Sequence, residues 1–144
     1  MSYLFDASAL LNSVRLYNDA IIDFVEGNEC YALTLTRYEV GNALWKEAYL
    51  VKRIEVDQAI KVLNFINSLL NLMSVIDVSG HEREVDILLT AIQMGLTFYD
   101  ASYLLIAKSL KATLITDDDD IVKASKRVEA KTLRSRDLPI KKLG

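Results

Sequence analysis

The sequence has only one cysteine, one proline and one histidine among 144 residues. It is therefore poor in the residues that form disulfides or bind structural metals. A single cysteine cannot form an internal disulfide, and Cys30 opens an apolar run, where a buried thiol is expected rather than a nucleophile. His81 has no second histidine or cysteine at a metal-ligand spacing, so it is expected at the surface and no zinc site is predicted. These shortages also leave no Ser-His-Asp or Cys-His set for nucleophilic catalysis.

Long apolar segments are missing as well. No stretch approaches the about 18 uncharged apolar residues of a membrane span, and the N-terminus has no basic region followed by a long apolar one. We therefore expect a cytoplasmic protein without membrane contact. Gly-rich phosphate loops are also absent. With 51% hydrophobic residues, a chain of this length can bury its own core, which predicts a single domain over residues 1–144.

Charge is distributed unevenly along the chain. The net charge of −3 by itself argues against nucleic-acid binding, because contacts with phosphates dominate such affinity. Residues 1–122, however, contain 9 Lys/Arg and 18 Asp/Glu, whereas residues 123–144 contain 8 and 2. This basic C-terminal segment is able to place a polyanion beside an acidic pocket, and a solvated basic tail is the alternative interpretation.

Short apolar runs alternate with helical patterns. Strands are predicted at residues 3–5, 30–35, 72–78 and 113–116, with a weaker fifth at 128–133. Helical spacing of apolar residues fills the segments between them, at 9–17, 19–26, 36–51, 56–70, 79–95, 97–110 and 121–127. This alternation predicts a three-layer α/β/α sandwich around a mainly parallel sheet.

Two predicted helices begin with a capping-box match, in which a hydroxyl residue is followed three positions later by glutamate. The matches are Thr36 to Glu39 and Ser79 to Glu82. The helix from Thr36 also carries an aromatic stripe, which is more typical of a core or a subunit interface than of a base-stacking platform; its members are Tyr38, Trp45 and Tyr49.

Acidic residues stand at four junctions between predicted elements. Asp6 follows the first strand, Asp117–Asp120 follow the fourth, and Glu39 lies one turn into the helix after the second. The carboxyl ends of parallel strands meet at one edge of the sheet, so these positions are expected to converge there. Asp100 opens a helix that follows another helix, and its convergence is inferred from topology alone. Each acid is alternatively a helix N-terminal charge.

Gathered carboxylates have a definite chemistry. They repel one another unless a cation or hydrogen-bond donors offset their charge. An all-oxygen shell suits Mg²⁺ or Mn²⁺ rather than zinc. Such a metal, still carrying several waters, is suited to phosphodiester hydrolysis, because it polarises the phosphoryl oxygens and stabilises the leaving oxygen. If the acids gather, the sequence predicts a metal-dependent phosphodiesterase.

Four motifs occur in a specific order and spacing over nearly the whole chain. They are Asp6-Ala7-Ser8, Thr36-Arg37-Tyr38-Glu39-Val40-Gly41-Asn42-Ala43-Leu44, Tyr99-Asp100-Ala101-Ser102-Tyr103 and Leu114-Ile115-Thr116-Asp117-Asp118. Together they resemble the PIN domain and, within it, the VapC-type toxins of toxin–antitoxin pairs. The resemblance implies a three-layer sandwich and a Mg²⁺- or Mn²⁺-dependent endoribonuclease that serves as the toxin of a type II pair.

The resemblance also assigns roles to individual residues. The implied catalytic and metal-binding acids are Asp6, Glu39, Asp100 and Asp118. The last belongs to a Thr-x-Asp pattern, and the aspartate run leaves Asp117 as an alternative to Asp118 and Asp120 as an accessory ligand. The implied supporting hydroxyls are those of Thr116 and Ser8.

Partners follow from the same resemblance: an RNA substrate, a cognate antitoxin and a second copy in a homodimer. The sequence offers two contact surfaces, the aromatic stripe around Trp45 and the apolar helices from Val56 to Ile92. Two other functions compete. One is a non-catalytic PIN-like interaction module whose acids only cap helices. The other is an acid-pocket receiver domain, which needs paired acids after the first strand, whereas Asp6 stands alone.

Overall fold

The computed structural model describes residues 1–141. Its strands are β1 (Ser2–Phe5), β2 (Glu29–Leu33), β3 (Ser74–Ile76), β4 (Thr113–Ile115) and β5 (Thr132–Leu133). Its α-helices are α1 (Ala7–Tyr17), α2 (Ala20–Gly27), α3 (Thr36–Trp45), α4 (Val56–Leu72), α5 (His81–Met94), α6 (Phe98–Leu110) and α7 (Asp119–Arg127). A π-helical turn (Lys46–Leu50) extends α3, and a 3₁₀ turn (Ser135–Asp137) follows β5.

The described strands form one parallel sheet in the order β3-β2-β1-β4-β5. The chain runs from β1 through β2 to β3 on one side, then crosses to place β4 and β5 on the other side of β1. This reversal puts a topological switch point between β1 and β4, where open α/β sheets bind ligands beyond the carboxyl ends of their strands. Phe5 pairs with Ile115 there, and the N–H of Asp6 donates to the Ile115 carbonyl at 3.0 Å.

Helices cover both faces of the sheet, because successive strand side chains point to opposite faces. Tyr3 and Phe5 of β1 pack in a core with α1, α2 and α4, whereas Leu4 packs in a second core with α6 and α7. The predicted three-layer parallel α/β sandwich is therefore confirmed. Among residues 1–141, none of the helices combines the length and apolar character needed to span a bilayer.

The lone cysteine behaves as predicted. Cys30 is buried in the first core, and burial raises the pKa of its thiol to about 12, so the thiol stays protonated near neutral pH. The predicted surface position of His81 concerns a side chain outside the described residues. The last three residues of the basic C-terminal segment, 142–144, also lie outside the described range.

Both capping-box predictions are wrong. Helix α3 begins at Thr36 itself, whose hydroxyl accepts from the Leu33 N–H at 3.1 Å, while Glu39 accepts from Tyr103. At the second match, Gly80 is the N-cap of α5 and has no capping side chain; the Ser79 N–H instead donates to Asp77 at 2.8 Å. In each case a group that the local pattern assigned to the cap forms a hydrogen bond with a different partner.

Three element boundaries also differ from prediction. The predicted strand 72–78 is shortened to β3 because α4 continues to Leu72, and the weak strand 128–133 is reduced to β5. The regular part of the helix predicted over 36–51 ends at Trp45, where the π-helical turn begins. None of these shifts alters the order of strands or the position of the acidic junctions.

Apolar residues that the sequence left open between the core and a contact surface are exposed on α3 and α5. The aromatic stripe lies on the surface, with Trp45 and Tyr49 stacked at a centroid distance of 5.6 Å. On α5, Ile87 and Ala91 are buried, whereas the exposed apolar side chains are Val85, Leu88, Leu89 and Ile92. The stripe is therefore not core, which leaves the subunit-interface and base-stacking interpretations.

Candidate active site

Asp6 lies at the switch point, directly after β1. The residue is 5% exposed, and its carboxylate caps α1 by accepting from the Ala9 N–H at 2.8 Å. The buried hydroxyl of Thr116, which follows the adjacent strand β4, accepts from the Asp118 N–H at 3.2 Å and acts to lower the pKa of Asp6. Ser8 is exposed in the first turn of α1.

The pKa of Asp6 is raised to about 7. Burial is the main cause, because it disfavours the charged form, and the negative charges of Asp117 and Asp100 add to it. The hydrogen bonds from Thr116 and Ala9 act in the opposite direction but do not compensate. Asp6 is thus a carboxylate whose charge the folded chain does not fully neutralise.

Asp100 and Glu39 reach the same region from helices on separate parts of the chain. Asp100 lies in the first turn of α6, which Thr97 caps by accepting from the Asp100 N–H at 3.0 Å. Burial raises the pKa of Asp100, and the charges of Asp118 and Asp120 raise it further. Burial also raises the pKa of Glu39, with a further contribution from Asp100. The topological inference that Asp100 lies near the other acids agrees with these interactions.

A chain of three hydrogen bonds fixes Glu39. The Leu33 N–H donates to the Thr36 hydroxyl at 3.1 Å, and the Thr36 and Tyr103 hydroxyls are 2.7 Å apart. Tyr103 in turn donates to Glu39 Oε1 at 2.8 Å. Because the amide can only donate and a carboxylate can only accept, the protons of this chain all point toward Glu39. Thr36 and Tyr103 are buried, so Glu39 is oriented from inside the core.

The four aspartates of the run have different environments. Asp118 is the N-cap of α7, where its Oδ1 accepts from the N–H groups of Asp120 and Ile121 at 2.8 and 3.2 Å. Asp119 is exposed and pairs with Arg134, and Asp120 is exposed beside it. The structure therefore separates the run into one capping residue, two surface residues and Asp117.

Asp117 is a brace between three parts of the fold. Its carboxylate accepts from Asn12 of α1 at 2.8 Å and from the N–H and hydroxyl of Ser135 at 2.9 and 2.6 Å. Burial acts to raise the pKa of Asp117, but these hydrogen bonds and the charge of Arg134 hold it below its ordinary value. Unlike Asp6, this carboxylate is fully compensated by protein groups.

Asp6, Glu39 and Asp100 differ from the exposed acids in having pKa values that burial raises. Within residues 1–141, no lysine or arginine forms a salt bridge with Asp6, Glu39, Asp100, Asp118 or Asp120. The described side chains include no group of three or more acids, cysteines or histidines already spaced to hold a metal ion. Binding of a cation would therefore require the side chains to draw closer, although their all-oxygen donor chemistry suits Mg²⁺ or Mn²⁺.

Several residues of the site were not identified from sequence as site residues. Tyr103 and Thr36 orient Glu39, and Asn12 and Ser135 brace Asp117. One signal was present: Tyr103 lies three residues after Asp100 in a helix, which places both on one face. The hydrogen bonds of Asp117 had no such signal, because Asn12 and Ser135 are 105 and 18 residues away from Asp117 in sequence.

Two cavities adjoin the acids. One, of about 370 Å³, opens beside Asp117 and is lined by three arginines, Arg15, Arg134 and Arg136. The other, of about 420 Å³, opens beside Glu39 and contains no basic residue in its lining. The basic C-terminal segment thus returns to the acidic cluster, where Arg134 donates to the Asp117 carbonyl at 2.6 Å.

Comparison with known proteins gives a consistent set of relatives. No family model matches the chain. The chain is 36% identical over 138 residues to Exonuclease VapC9 of Pyrobaculum aerophilum, and the match covers 94% of this chain and 96% of that protein. The crystal structure of PAE2754 from Pyrobaculum aerophilum superposes with a TM-score of 0.76 at 34% identity, covering 96% of this chain and 95% of that one.

More distant structures share the fold. VapBC2 from Rickettsia felis, solved with a DNA fragment from its promoter, has a TM-score of 0.63 at 17% identity and covers 93% of this chain and 98% of that one. FitAcB from Neisseria gonorrhoeae has a TM-score of 0.60 at 16% identity and covers 94% of this chain and 99% of that one.

Proposed function

The chain belongs to the VapC-type family of PIN-domain proteins, and on that premise we propose that it is a Mg²⁺- or Mn²⁺-dependent endoribonuclease, the toxin of a type II toxin–antitoxin pair. The observation that supports this most is that burial and neighbouring acidic charges raise the pKa of Asp6, Glu39 and Asp100, around the switch point between β1 and β4. We propose further that residues 1–144 act as one domain and that the RNA substrate is met in the cytoplasm.

In this proposal the cation is held by Asp6, Glu39, Asp100 and Asp118. A bound Mg²⁺ or Mn²⁺ supplies polarisation of the phosphoryl oxygens, activation of water and stabilisation of the leaving oxygen. Thr116 keeps Asp6 oriented through its hydroxyl, and Tyr103 does the same for Glu39. Asp117 keeps its structural role, since its oxygens already accept three hydrogen bonds, and Asp120 is at most an outer ligand.

The cap-only alternative explains part of the cluster. Asp6 and Asp118 do cap helices, as the non-catalytic interaction module requires. Glu39 does not, because α3 has no side-chain cap and Glu39 is instead held by a hydrogen-bond chain from the core. A half-buried glutamate oriented in this way beside other acids is better explained by a chemical role.

The arginine-lined cleft supports a polyanionic substrate. Arg15 comes from α1, and Arg134 and Arg136 come from the basic C-terminal segment, so the cleft joins separate parts of the chain beside Asp117. Arg136 is largely exposed and only loosely paired with Asp137, at 4.0 Å. The RNA backbone is proposed to cross this cleft, because arginine recognises phosphate oxygens with paired N–H donors.

Two exposed apolar surfaces support the proposed protein partners. A groove of about 200 Å³ between α3 and α4 is lined almost entirely by apolar side chains, among them Leu44, Trp45, Ile60 and Leu63. We assign it to a segment of the antitoxin, because an amphipathic helix can bind with its apolar face in such a groove. The exposed apolar face of α5 is assigned to the homodimer, in which two copies of one face meet across a twofold axis.

A second nuclease mode must be separated from the first, because the relative at 36% identity is named an exonuclease. The purified chain is expected to cleave both linear and circular single-stranded RNA in Mg²⁺ or Mn²⁺, and neither in EDTA. Circular RNA has no ends, so its cleavage requires internal attack. Gel analysis of the two substrates, with single-stranded DNA of the same sequence as the control, measures this.

Each other result has a definite meaning. Degradation of linear RNA alone would replace the endonuclease proposal by an exonuclease. Equal cleavage in EDTA and in Mg²⁺ would contradict the metal requirement. Cleavage of the DNA control at the same rate would contradict the assignment of RNA as the substrate.

A further inference from the structure

The cavity beside Glu39 differs in chemistry from the acidic cluster that it adjoins. Its volume is about 420 Å³, and it is lined by Leu35, Tyr38, Glu39, Asn42 and Tyr99. Tyr38 and Tyr99 are 82% and 58% exposed, although each lies next in sequence to a carboxylate of the cluster. The cavity therefore presents two phenol rings and a carboxamide directly beside the acids.

We propose that this cavity is a nucleobase subsite, in which an unpaired RNA base next to the scissile phosphate stacks on Tyr38 and Tyr99. The inference rests on the proposed ribonuclease function. Bases of single-stranded RNA offer free π-faces, and aromatic side chains bind them with little dependence on sequence. Glu39 belongs both to the cavity and to the cluster, so a base held here has its own phosphate at the cluster.

The availability of the ring faces supports this occupant. Trp45 and Tyr49 stack on each other with an interplanar angle of 19°, so each already covers one face of its partner. Within the described part of the chain, neither Tyr38 nor Tyr99 is paired with another aromatic ring. The exposed amide of Asn42 adds a donor and an acceptor at the same cavity, which are the groups that read a base edge. This departs from the sequence-based assignment of Tyr38 to a core or subunit interface.

The test uses the full chain and a single-stranded RNA whose cleavage position has been mapped. The double variant Tyr38→Ala/Tyr99→Ala is expected to raise KM for this RNA about 10-fold or more and to leave kcat within about 2-fold, because it removes stacking and leaves the acids in place. The double variant Tyr38→Phe/Tyr99→Phe, which keeps both ring faces, is expected to restore the parent KM. Tyr49→Ala, an exposed tyrosine outside the cavity, serves as the matched control.

An abasic nucleotide locates the base. Placed in turn on either side of the scissile phosphate, it is expected at one position to raise the KM of the parent by a similar factor and to add nothing in the Tyr38→Ala/Tyr99→Ala variant. A parent-like KM in that variant overturns the subsite, as do equal KM changes in Tyr49→Ala.

Three further outcomes also contradict the proposal. If the abasic and alanine effects add independently at every position, the base lies elsewhere. If the alanine variant loses antitoxin binding but keeps its KM for RNA, the cavity is a protein-docking surface. If the parent shows no metal-dependent cleavage, the proposed function itself is overturned. If the parent cleaves RNA but its KM does not change when the tyrosines are replaced, only the nucleobase subsite is overturned.

Discussion

Replacing Asp118 by asparagine is expected to lower RNA cleavage about 100- to 1000-fold, because it removes a negative oxygen from the proposed cation site. The fold should survive. Asparagine is as good an N-cap as aspartate, so its side-chain oxygen can still accept from the N–H groups of Asp120 and Ile121. We expect the free energy of unfolding to stay within about 0.5 kcal/mol of the parent value.

Asp117→Asn is the matched comparison and should have the reverse effect. The amide retains one acceptor oxygen, so at least one of the three hydrogen bonds from Asn12 and Ser135 is lost or must reverse its direction. We expect the free energy of unfolding to fall by about 1 to 3 kcal/mol while cleavage per folded molecule stays near the parent rate. Chemical denaturation and initial rates on one RNA measure both quantities. Loss of cleavage in Asp117→Asn alone would identify Asp117, not Asp118, as the ligand.

Asp6→Asn is expected to change how stability depends on pH. The pKa of Asp6 is raised from 3.8 to about 7, so between these values the folded state holds a proton that the unfolded chain has released. In EDTA, the parent should therefore lose stability as pH rises through this window, by up to about 1.4 kcal/mol per pH unit and on the order of 4 kcal/mol in total. This contribution is fully present below the unfolded pKa and is lost above the folded one.

The asparagine variant should lack that slope, because it keeps the cap on α1 without a titrating carboxyl. Above pH 7 it should be more stable than the parent in EDTA, and Mg²⁺ should stabilise the parent more than the variant, because a ligand stabilises the state that binds it. Thermal unfolding from pH 4 to 8, with and without Mg²⁺, measures both effects. Parallel pH profiles for the two proteins would show that folding does not raise the pKa of Asp6.

The sheet and the acidic edge could be predicted from local patterns, because both depend on neighbours in sequence. A short apolar run that ends in an acid fixes a strand and its carboxyl end together, as at Phe5 to Asp6 and Ile115 to Asp118. Parallel pairing then brings those ends to one edge. Nothing beyond strand order was needed to place Asp6 beside the aspartate run.

The sequence-based predictions failed where a residue distant in sequence forms a hydrogen bond with a side chain of a local pattern. The match from Thr36 to Glu39 is a correct local pattern, yet Tyr103, 67 and 64 residues away, binds both side chains and leaves no capping box. The aspartate run could not be divided from sequence for the same reason, since Asn12 and Ser135 decide which member is braced. Periodicity likewise detected the apolar residues of α5 but not that most of them are exposed.

Mn²⁺ binding followed by electron paramagnetic resonance shows whether the acids around the carboxyl ends of β1 and β4 form a divalent-cation site. Three proteins suffice: the parent, Asp100→Asn within the cluster, and Asp119→Asn, which removes an exposed member of the aspartate run paired with Arg134. The parent and Asp119→Asn are expected to bind Mn²⁺ alike, and Asp100→Asn to bind at least about 10-fold more weakly. Equal Mn²⁺ binding by all three proteins, or none by the parent, would show that these acids do not form a divalent-cation site.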